Sequence, residues 1–242
     1  MIPKIIHYCW FGKGKLPPFA QKCISSWKKY MPHCEIKEWN ENNFNVNMIK
    51  YTKEAYEYKK YAFVSDFARF YVLNQYGGIY LDVDVELVKP IDDLLNYKTV
   101  LGFESLGRVN PGLILASEPA TLFLKEMIEL YKNLSFIDNN GNMNLTTIVT
   151  YTTDYLKTKG LREENVKQEI YGVTVFPTDY FCPIDMKTNE LIITENTYSI
   201  HHFNSSWISK WGKFKKFIRK IIGGKLYYKL YLFKKNIKGL IK

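Results

Sequence analysis

The first forty residues alternate between short apolar runs and a helical pattern. Residues 3–11 (PKIIHYCWF) are apolar and rich in β-branched and aromatic side chains, which predicts a buried strand. After the turn-forming GKGKLPP, four apolar residues fall on one face of a helix that ends near Pro32: Ala20, Cys23, Ile24 and Trp27. Residues 34–39 (CEIKEW) then predict a second strand. This β-α-β order is typical of a parallel sheet covered by helices, whose ligands bind at the carboxyl ends of the strands.

The pattern changes from helical to strand-like within residues 62–86. Residues 62–76 place apolar side chains at helical spacing, and Gly77–Gly78 predicts the end of that helix. Four apolar residues then alternate with four polar or aromatic ones through GGIYLDVDVE, which predicts one strand over residues 79–86. Asp82 and Asp84 would leave such a strand on the same side, about 7 Å apart along it.

Two carboxylates so placed repel each other unless a cation lies beside them. Their hard oxygen ligands suit magnesium, manganese or calcium better than zinc. The alternative is a half-exposed edge strand on which Asp82 and Asp84 are simply solvated. The pattern alone leaves both interpretations open.

A charged pair lies in the apolar helix that precedes this strand. Asp66 and Arg69 are three residues apart and therefore share a helix face, as in an ordinary surface ion pair. They lie, however, in the most apolar part of the helix, where charges without a partner are costly. The position makes an ordinary surface ion pair less expected, and the spacing alone leaves both interpretations open.

The remaining elements follow from shorter signals. Residues 100–104 and 112–116 predict more sheet, residues 120–131 and 146–158 predict helices, and residues 173–177 and 197–202 predict late strands. Residues 138–142 (DNNGN) predict a flexible loop.

A second candidate site is the segment HHFNSSW at residues 201–207. Paired histidines at a strand end can ligate a metal, and Ser205 or Ser206 can add a hydroxyl oxygen. The alternative is a strand end with one packed and one solvated histidine.

Composition indicates a folded globular protein. Aromatic residues make up 16% of the 242 residues, and no apolar run reaches the roughly 20 residues that span a membrane. No signal peptide is visible, so the sequence predicts a cytoplasmic protein whose four cysteines are free thiols.

The net charge of +10 is concentrated at one end. Residues 210–242 contain twelve of the 34 Lys and Arg residues and none of the 24 Asp and Glu residues, which leaves residues 1–209 at a net charge of −2. A uniformly basic nucleic-acid binder is therefore not indicated. We predict a catalytic domain over residues 1–209 and a basic tail over residues 210–242.

The tail has two apolar stripes separated by Gly223–Gly224, which predicts two basic amphipathic helices. Such helices bind anionic membrane surfaces, which would place the protein peripherally on the inner face of the plasma membrane. The alternative is a helical hairpin that packs on the catalytic domain.

Several of these motifs stand in the order seen in one family. They are IPKIIHYCWFG at residues 2–12, SDFAR at 65–69 followed by GGIYLDVDV at 77–85, and IHHFNSSW at 200–207. Over residues 1 to about 207 the chain resembles glycosyltransferase family 32, bacterial sugar-transferring enzymes with a DXD motif. That family includes capsule-synthesis enzymes and relatives of a yeast mannosyltransferase, and the clostridial glucosylating toxins look like more distant kin.

The resemblance implies an α/β fold of the GT-A type, a Rossmann-like nucleotide-sugar-binding fold with a mixed central sheet flanked by helices. It implies that Trp10 stacks on the nucleotide base and that Asp66 and Arg69 hold ribose or sugar hydroxyls. It also implies that Asp82 bonds ribose and a metal-bound water, and that Asp84 binds the metal directly.

The late motif carries further implied roles. His202 and Ser205 would complete the metal shell, with His201 as the alternative to His202, and Trp207 would donate to the diphosphate. Asn110 and Glu104 are further candidates for contacts to the sugar. The chain departs from the family at residues 140–147 (NGNMNLTT), where many members carry a Gly-Pro.

The implied reaction is a retaining, metal-dependent transfer of a sugar from a nucleotide-sugar donor to a saccharide acceptor in surface polysaccharide synthesis. Manganese is favoured over magnesium, a UDP-sugar over a GDP-sugar, and the acceptor is expected to be a glycan or a lipid-linked saccharide. A nucleotidyltransferase or a non-catalytic nucleotide-binding protein of similar fold is the alternative, although only GKGK at residues 12–15 suggests a phosphate loop.

Overall fold

The computed structural model describes residues 1–185, 188 and 190–203. The predicted tail at 210–242, together with Ser205 and Trp207, lies outside the described residues. The described part contains ten strands and six helices, which in chain order are β1 (Ile5–Cys9), α1 (Pro18–Tyr30), β2 (Glu35–Trp39), α2 (Lys50–Glu57), α3 (Tyr61–Tyr76), β3 (Gly78–Tyr80), β4 (Val85–Leu87), β5 (Thr99–Ser105), β6 (Arg108–Val109), β7 (Leu115–Ser117), α4 (Leu122–Lys132), α5 (Ile148–Thr158), β8 (Gln168–Ile170), β9 (Val173–Phe176), α6 (Thr178–Phe181) and β10 (Ser199–His201).

A mixed sheet forms the centre of the fold. Its strand order is β2-β1-β3-β7-β5-β9-β8, with β6 paired to β5, while β4 and β10 form a separate two-stranded sheet. The strand pairs β1–β2, β1–β3 and β5–β9 are parallel, whereas β7 is antiparallel to both of its neighbours, β3 and β5. Strands β1, β3, β5 and β9 therefore all run in one direction, and their carboxyl ends meet along one edge of the sheet.

The predicted β-α-β opening is confirmed. Helix α1 begins at Pro18, where the missing amide hydrogen costs nothing, and it buries Ala20, Cys23, Ile24 and Trp27. The predicted helix at residues 62–76 is α3, which ends at Tyr76 and is followed by Gly77 with a φ of 62°. The next residue, Gly78, has a φ of 105°, and a Cβ there would lie 2.6 Å from the Ile5 carbonyl oxygen. The Gly-Gly pair thus allows β3 to turn out of the helix and lie directly against β1.

The single strand predicted over residues 79–86 is wrong. Strand β3 stops at Tyr80, the chain turns through residues 81–84, and β4 begins at Val85 in the other sheet. A hydrogen bond from the Val85 amide to the Asp82 carbonyl oxygen, 3.0 Å long, closes this turn. Apolar alternation continues through the break because both strands are buried, so the pattern does not reveal it.

Two apolar cores lie on opposite faces of the sheet. One is rich in aromatic residues and packs α2, α3, α4 and α5, and its fully buried rings include Phe67, Phe70 and Tyr131. The other packs α1 and α6 around Trp27 and Phe181. Among the described residues, no helix is both long and apolar enough to cross a bilayer.

The later elements that were predicted agree with the structure except for one strand, and four short elements (α2, β6, β8 and α6) were not predicted. The strand predicted at residues 112–116 is only β7, Leu115–Ser117, because the Leu113 amide donates to the Asn110 carbonyl oxygen in a turn before it. Helix α2 and strand β8 are short, and no strong sequence pattern predicts either of them.

Candidate active site

Polar side chains gather where four of the five parallel strands end. Trp10 follows β1, Asp82 follows β3, Glu104 lies near the end of β5, and Thr178 follows β9. Because these strands are parallel, the four residues lie along the same edge of the sheet. Ligands of sheets of this type bind at that edge.

Asp82 lies on the turn after β3 and is held by the segment before β7. Its amide donates to the Gly112 carbonyl oxygen at 3.2 Å, and its side-chain Oδ1 accepts a hydrogen bond from the Tyr80 hydroxyl at 3.1 Å. A Cβ on Gly112 would lie 2.2 Å from Asp82 Oδ2. The absence of a side chain at Gly112 is therefore what allows the carboxylate to occupy this position.

Asp84 is paired with a histidine from the far end of the described chain. His201 Nε2 lies 3.1 Å from Asp84 Oδ1, and both side chains are largely buried. The pairing of β10 with β4 brings them together, because His201 lies opposite Val85 in that ladder.

His202 takes a different position from the one expected of a metal ligand. Its Nε2 lies 2.9 Å from Glu86 Oε2, on the other side of the strand from His201. Its backbone amide donates to the Asp84 carbonyl oxygen at 3.1 Å. His201, which was given above as the alternative, is therefore the histidine that faces the aspartates, and a metal role for His202 stays a prediction.

Asp82, Asp84 and His201 form a cluster suited to a divalent cation. Each offers a ligand atom, and these atoms all lie within 4.8 Å of one another. Buried His201 Nδ1 has no hydrogen-bond partner among the described residues. Burial alone would lower the pKa of His201, but the carboxylates of Asp84, Asp82 and Glu104 together outweigh it and the pKa is raised. Two carboxylates and one imidazole fit a cation of the manganese or magnesium class.

A buried guanidinium lies beside this cluster. Arg69 Nη2 lies 3.4 Å from Asp82 Oδ1 and 3.1 Å from Asp66 Oδ1. The guanidinium also covers the ring of Tyr80, at 4.5 Å from its centroid. Burial opposes the charge on Arg69, yet the nearby groups Asp82, Tyr80, Asp66 and Cys9 together more than compensate and the pKa is raised. Arg69 is therefore a fixed positive charge next to Asp82, and its buried Nη1 has no hydrogen-bond partner among the described residues.

Asp66 lies behind Arg69. It is 7% exposed and accepts a hydrogen bond from the backbone amide of Ile148, the first residue of α5. Burial raises its pKa to about 7, although Arg69 opposes the shift. In this structure the carboxyl group joins the guanidinium to the start of α5, and its expected contact with ribose or sugar hydroxyls stays a prediction.

Asn110 connects two parts of the edge. Its Nδ2 donates to Glu104 Oε2 at 3.0 Å, and its Oδ1 accepts from the Gly112 amide at 2.7 Å. It therefore links the end of β5 to the segment that holds Asp82. Trp10 is half-buried at the end of β1, and its Nε1 donates to the Gly14 carbonyl oxygen at 2.6 Å. Its stacking on a base also stays a prediction.

Sequence reasoning missed Tyr80 and Gly112, which fix the Asp82 carboxylate. Tyr80 belongs to the same alternating run as the aspartates, so its spacing offered a weak signal. Nothing in the sequence distinguishes Gly112 from an ordinary loop glycine.

Residues 17–101 match the family described as "Glycosyltransferase sugar-binding region containing DXD motif". The chain is 37% identical over 83 residues to Glucan organizing enzyme 1 of Cryptococcus neoformans var. grubii, a match that covers 31% of this chain and 23% of that protein. It is 34% identical over 113 residues to the uncharacterized glycosyltransferase L373 of Acanthamoeba polyphaga mimivirus, covering 43% of this chain and 42% of that one. The matches thus span less than half the length of these relatives.

A solved structure has the same fold. It is a glycosyltransferase involved in the glycosylation of the major capsid of PBCV-1, with a TM-score of 0.50 and 14% identity over 84% of this chain and 95% of that one. The likeness confirms the predicted α/β architecture of the GT-A type, with a mixed central sheet flanked by helices. The chain therefore has the fold of a solved glycosyltransferase, and its residues 17–101 match the DXD-containing sugar-binding region of that class of enzyme.

Proposed function

We propose that the protein is a metal-dependent glycosyltransferase that takes a sugar from a nucleotide-sugar donor. The observation that carries the proposal is the cluster of Asp82, Asp84 and His201, whose ligand atoms lie within 4.8 Å of one another beside buried Arg69. It supports the proposal because a nucleotide-sugar is a diphosphate, and both a cation and a guanidinium bind phosphate oxygens.

Asp82, Asp84 and His201 would hold the cation. A bound divalent cation supplies Lewis-acid stabilisation of the negative charge that develops on a leaving diphosphate. Manganese is the cation we propose, because it accepts both carboxylate and imidazole ligands. Arg69 is permanently charged and held by two carboxylates, so it keeps a fixed orientation toward Asp82.

The proposed reaction exchanges one bond to the anomeric carbon for another. The bond from the sugar to the nucleoside diphosphate breaks, and a bond from an acceptor hydroxyl oxygen to the same carbon forms. The hydroxyl proton passes to the departing diphosphate, so charge and atoms balance. Retention of the anomeric configuration is part of the proposal, and the proton spectrum of the freshly formed product would test it.

The donor we propose is a UDP-sugar, with a GDP-sugar as the alternative. A panel of nucleotide sugars, assayed for manganese-dependent release of nucleotide, would identify it. The acceptor we propose is a saccharide, free or linked to a lipid, in the synthesis of a surface polysaccharide.

The test of the function is the response of donor hydrolysis to metal and to one substitution. Chelation should abolish hydrolysis, and added manganese should restore it. Asp84→Asn keeps the shape of the side chain but removes its charge, and it should lower the rate by at least about a hundredfold. Asp154→Asn, on the exposed face of α5, is the matched control and should keep the wild-type rate. Wild-type activity in Asp84→Asn would refute the proposed site.

The loop after β1 does not support the nucleotidyltransferase alternative. A phosphate-binding loop turns its amides toward the phosphate. Here the Gly12 amide donates to Glu41 Oε1 at 2.6 Å, and an acid at that position would repel a phosphate.

We further propose that the basic tail at residues 210–242 holds the enzyme on an anionic membrane surface at the cytoplasmic side. Twelve basic residues without an acidic one support this, since each basic residue near an anionic surface adds about 1 kcal/mol. Deletion of residues 213–242 should abolish binding to anionic vesicles at low salt while donor hydrolysis continues. Loss of folding on deletion, or full-length protein that ignores such vesicles, would contradict the anchor.

A further inference from the structure

A cavity of about 370 Å³ lies at the carboxyl ends of β5 and β9. Four parts of the chain line it: the end of β5 and the residue after it (Glu104, Ser105 and Leu106), the loop residue Asn165, helix α6 and the residue after it (Thr178, Asp179 and Cys182), and the segment with Pro183, Ile184, Asp185 and Ile192. An antiparallel β-bridge pairs Ile184 with Leu191 in that last segment. Of the residues given a role above, Glu104 is the one that lines this cavity.

The cavity opens at the same edge of the sheet as the metal cluster. Strands β5 and β9 are parallel, so Glu104 near the end of β5 and Thr178 after β9 lie at that edge. Glu104 belongs to both places, because it lines the cavity and accepts a hydrogen bond from Asn110 Nδ2 at 3.0 Å. Asn110 Oδ1 in turn accepts a hydrogen bond from the Gly112 amide, and Gly112 lies against the Asp82 carboxylate. The strand order thus places the cavity beyond Asp82 on the side away from Trp10.

The charges of the lining decide what can enter. Three carboxylates line the cavity (Glu104, Asp179 and Asp185), and none of the lining residues that the structure describes is Lys or Arg. Such a lining repels the diphosphate of a donor, so the cavity does not suit the nucleotide.

The three acids also do not suit a cation. Within the part of the chain that the structure describes, the group of ligand atoms close enough to hold a metal is Asp82, Asp84 and His201, and none of the cavity acids belongs to it. Each of the three already has a partner: Glu104 has Asn110 and Arg108, Asp179 has Asn196, and Asp185 has the Thr188 amide. A carboxylate has about four acceptor positions, so these groups can also accept hydrogen bonds from hydroxyl groups in the cavity.

The remaining lining fits an uncharged sugar. Two hydrogen bonds join Thr178 and Asn165. The Thr178 amide donates to Asn165 Oδ1 at 2.9 Å, and Asn165 Nδ2 donates to Thr178 Oγ1 at 3.1 Å. Leu106 and Ile192 add apolar surface that can cover the carbon face of a ring. A pocket with apolar walls and a few fixed polar groups is typical of sites for small organic ligands.

We propose that this cavity binds the acceptor, and that the group it takes is an uncharged, hydroxyl-rich saccharide end. The proposal rests on the proposed glycosyltransferase function. The donor occupies the edge from Trp10 to Asp82, and the acceptor hydroxyl approaches from the side of Glu104. Any phosphate or lipid that the acceptor carries stays outside the cavity.

Two pairs of substitutions test this. Ile192 and Ile193 are neighbours with the same 56% exposure, but only Ile192 lines the cavity. Leu106 is 64% exposed and lines another wall, whereas Leu122 on α4 is 48% exposed and lies elsewhere. Ile192→Trp and Leu106→Trp fill the cavity, and Ile193→Trp and Leu122→Trp are their matched controls.

The experiment measures donor hydrolysis by water and transfer to acceptor side by side in the full chain. The probes are methyl glycosides of glucose, galactose and mannose, together with the same glycosides carrying a phosphate. The wild type should transfer to at least one uncharged glycoside in preference to its phosphorylated form. Ile192→Trp and Leu106→Trp should lower the ratio of transfer to hydrolysis at least tenfold, while the two controls keep both rates within twofold of wild type.

The outcomes separate the acceptor site from the function. If the two cavity variants show the same ratio of transfer to hydrolysis as their controls, the proposed acceptor site is wrong. Turnover of the donor would in that case still support the proposed enzyme function. Transfer only to phosphorylated glycosides, or to none of the uncharged ones, would also overturn it. A wild-type protein that turns over no nucleotide sugar would instead overturn the proposed function, and the acceptor site with it.

Discussion

His201 Nε2 lies 3.1 Å from Asp84 Oδ1, whereas the next residue, His202, lies 2.9 Å from Glu86 Oε2. Two adjacent histidines are thus turned to opposite sides by one strand. This gives a matched pair of variants for the candidate metal cluster.

We expect His201→Gln to weaken manganese binding at least about tenfold, because it removes an imidazole ligand from beside Asp84. Isothermal titration of manganese into each variant measures the affinity, and donor hydrolysis at limiting metal gives a second reading. His202→Gln changes a partly exposed pair with Glu86 and should keep the wild-type affinity. Weakened binding in His202→Gln alone would show that the cluster is assigned to the wrong histidine.

Gly112 and Asp82 give the second prediction. A methyl group at Gly112 would lie 2.2 Å from Asp82 Oδ2, so Gly112→Ala has to displace the carboxylate. We expect donor hydrolysis to fall at least about tenfold and the manganese requirement to rise, because a displacement of about 1 Å is costly at a reacting centre. Titration of manganese in the hydrolysis assay measures both effects.

Gly14→Ala is the control for this change, since a Cβ there would meet nothing within 4 Å. Circular dichroism of both variants checks that the fold is retained. Wild-type hydrolysis at wild-type metal concentration in Gly112→Ala would show that the position of the Asp82 carboxylate does not matter.

Trp10 gives the third prediction. Its indole is half-buried at the end of β1, with Nε1 bonded to the Gly14 carbonyl oxygen. If the ring stacks on the nucleotide base, Trp10→Ala raises the donor KM with little loss of stability, whereas a Trp that serves only the core costs about 3 to 5 kcal/mol when truncated. Donor kinetics and a thermal melt, measured on the same preparation, distinguish the two. An unchanged KM with a large fall in Tm would contradict stacking.

Local signals were enough to predict most of the fold. Prolines mark the start of α1, Gly77–Gly78 marks the end of α3, and apolar periodicity marks most of the other elements. The break after Tyr80 escaped prediction because it separates two buried strands that continue the same alternation. The passage of the chain from one sheet to another depends on tertiary packing, and the apolar periodicity of the sequence does not reveal it.

The sequence predicted which residues form the site better than it predicted which residues they contact. Asp82, Asp84, Asp66 and Arg69 stand close together in the structure, as their spacing suggested. The choice of His201 over His202 depends on the register of β10 against β4, which a two-histidine sequence leaves open. The Ile148 amide that meets Asp66 comes from α5, and no local pattern connects those residues.

The last prediction concerns the stability of the sheet rather than catalysis. His7 is fully buried, and its ring joins two other elements: Nδ1 accepts a hydrogen bond from Trp39 Nε1 at 3.0 Å, and Nε2 lies 2.8 Å from the Gly77 carbonyl oxygen. An indole N–H can only donate, so Nδ1 is unprotonated and Nε2 carries the hydrogen that Gly77 receives. A second proton on the ring would break the bond to Trp39. Burial, above all, lowers the pKa of His7 from 6.5 to about 4.

The sign of the pH effect follows from that shift. Between pH 6.5 and about 4 the unfolded chain binds a proton at His7 that the folded chain does not, so the free energy of unfolding decreases as the pH falls through this window. The decrease amounts to about 3 kcal/mol by linkage. Urea unfolding at a series of pH values should therefore show a steeper loss in the wild type than in His7→Gln. The exposed His33→Gln should keep the wild-type slope, and an equally steep loss in His7→Gln would assign the acid sensitivity to other groups.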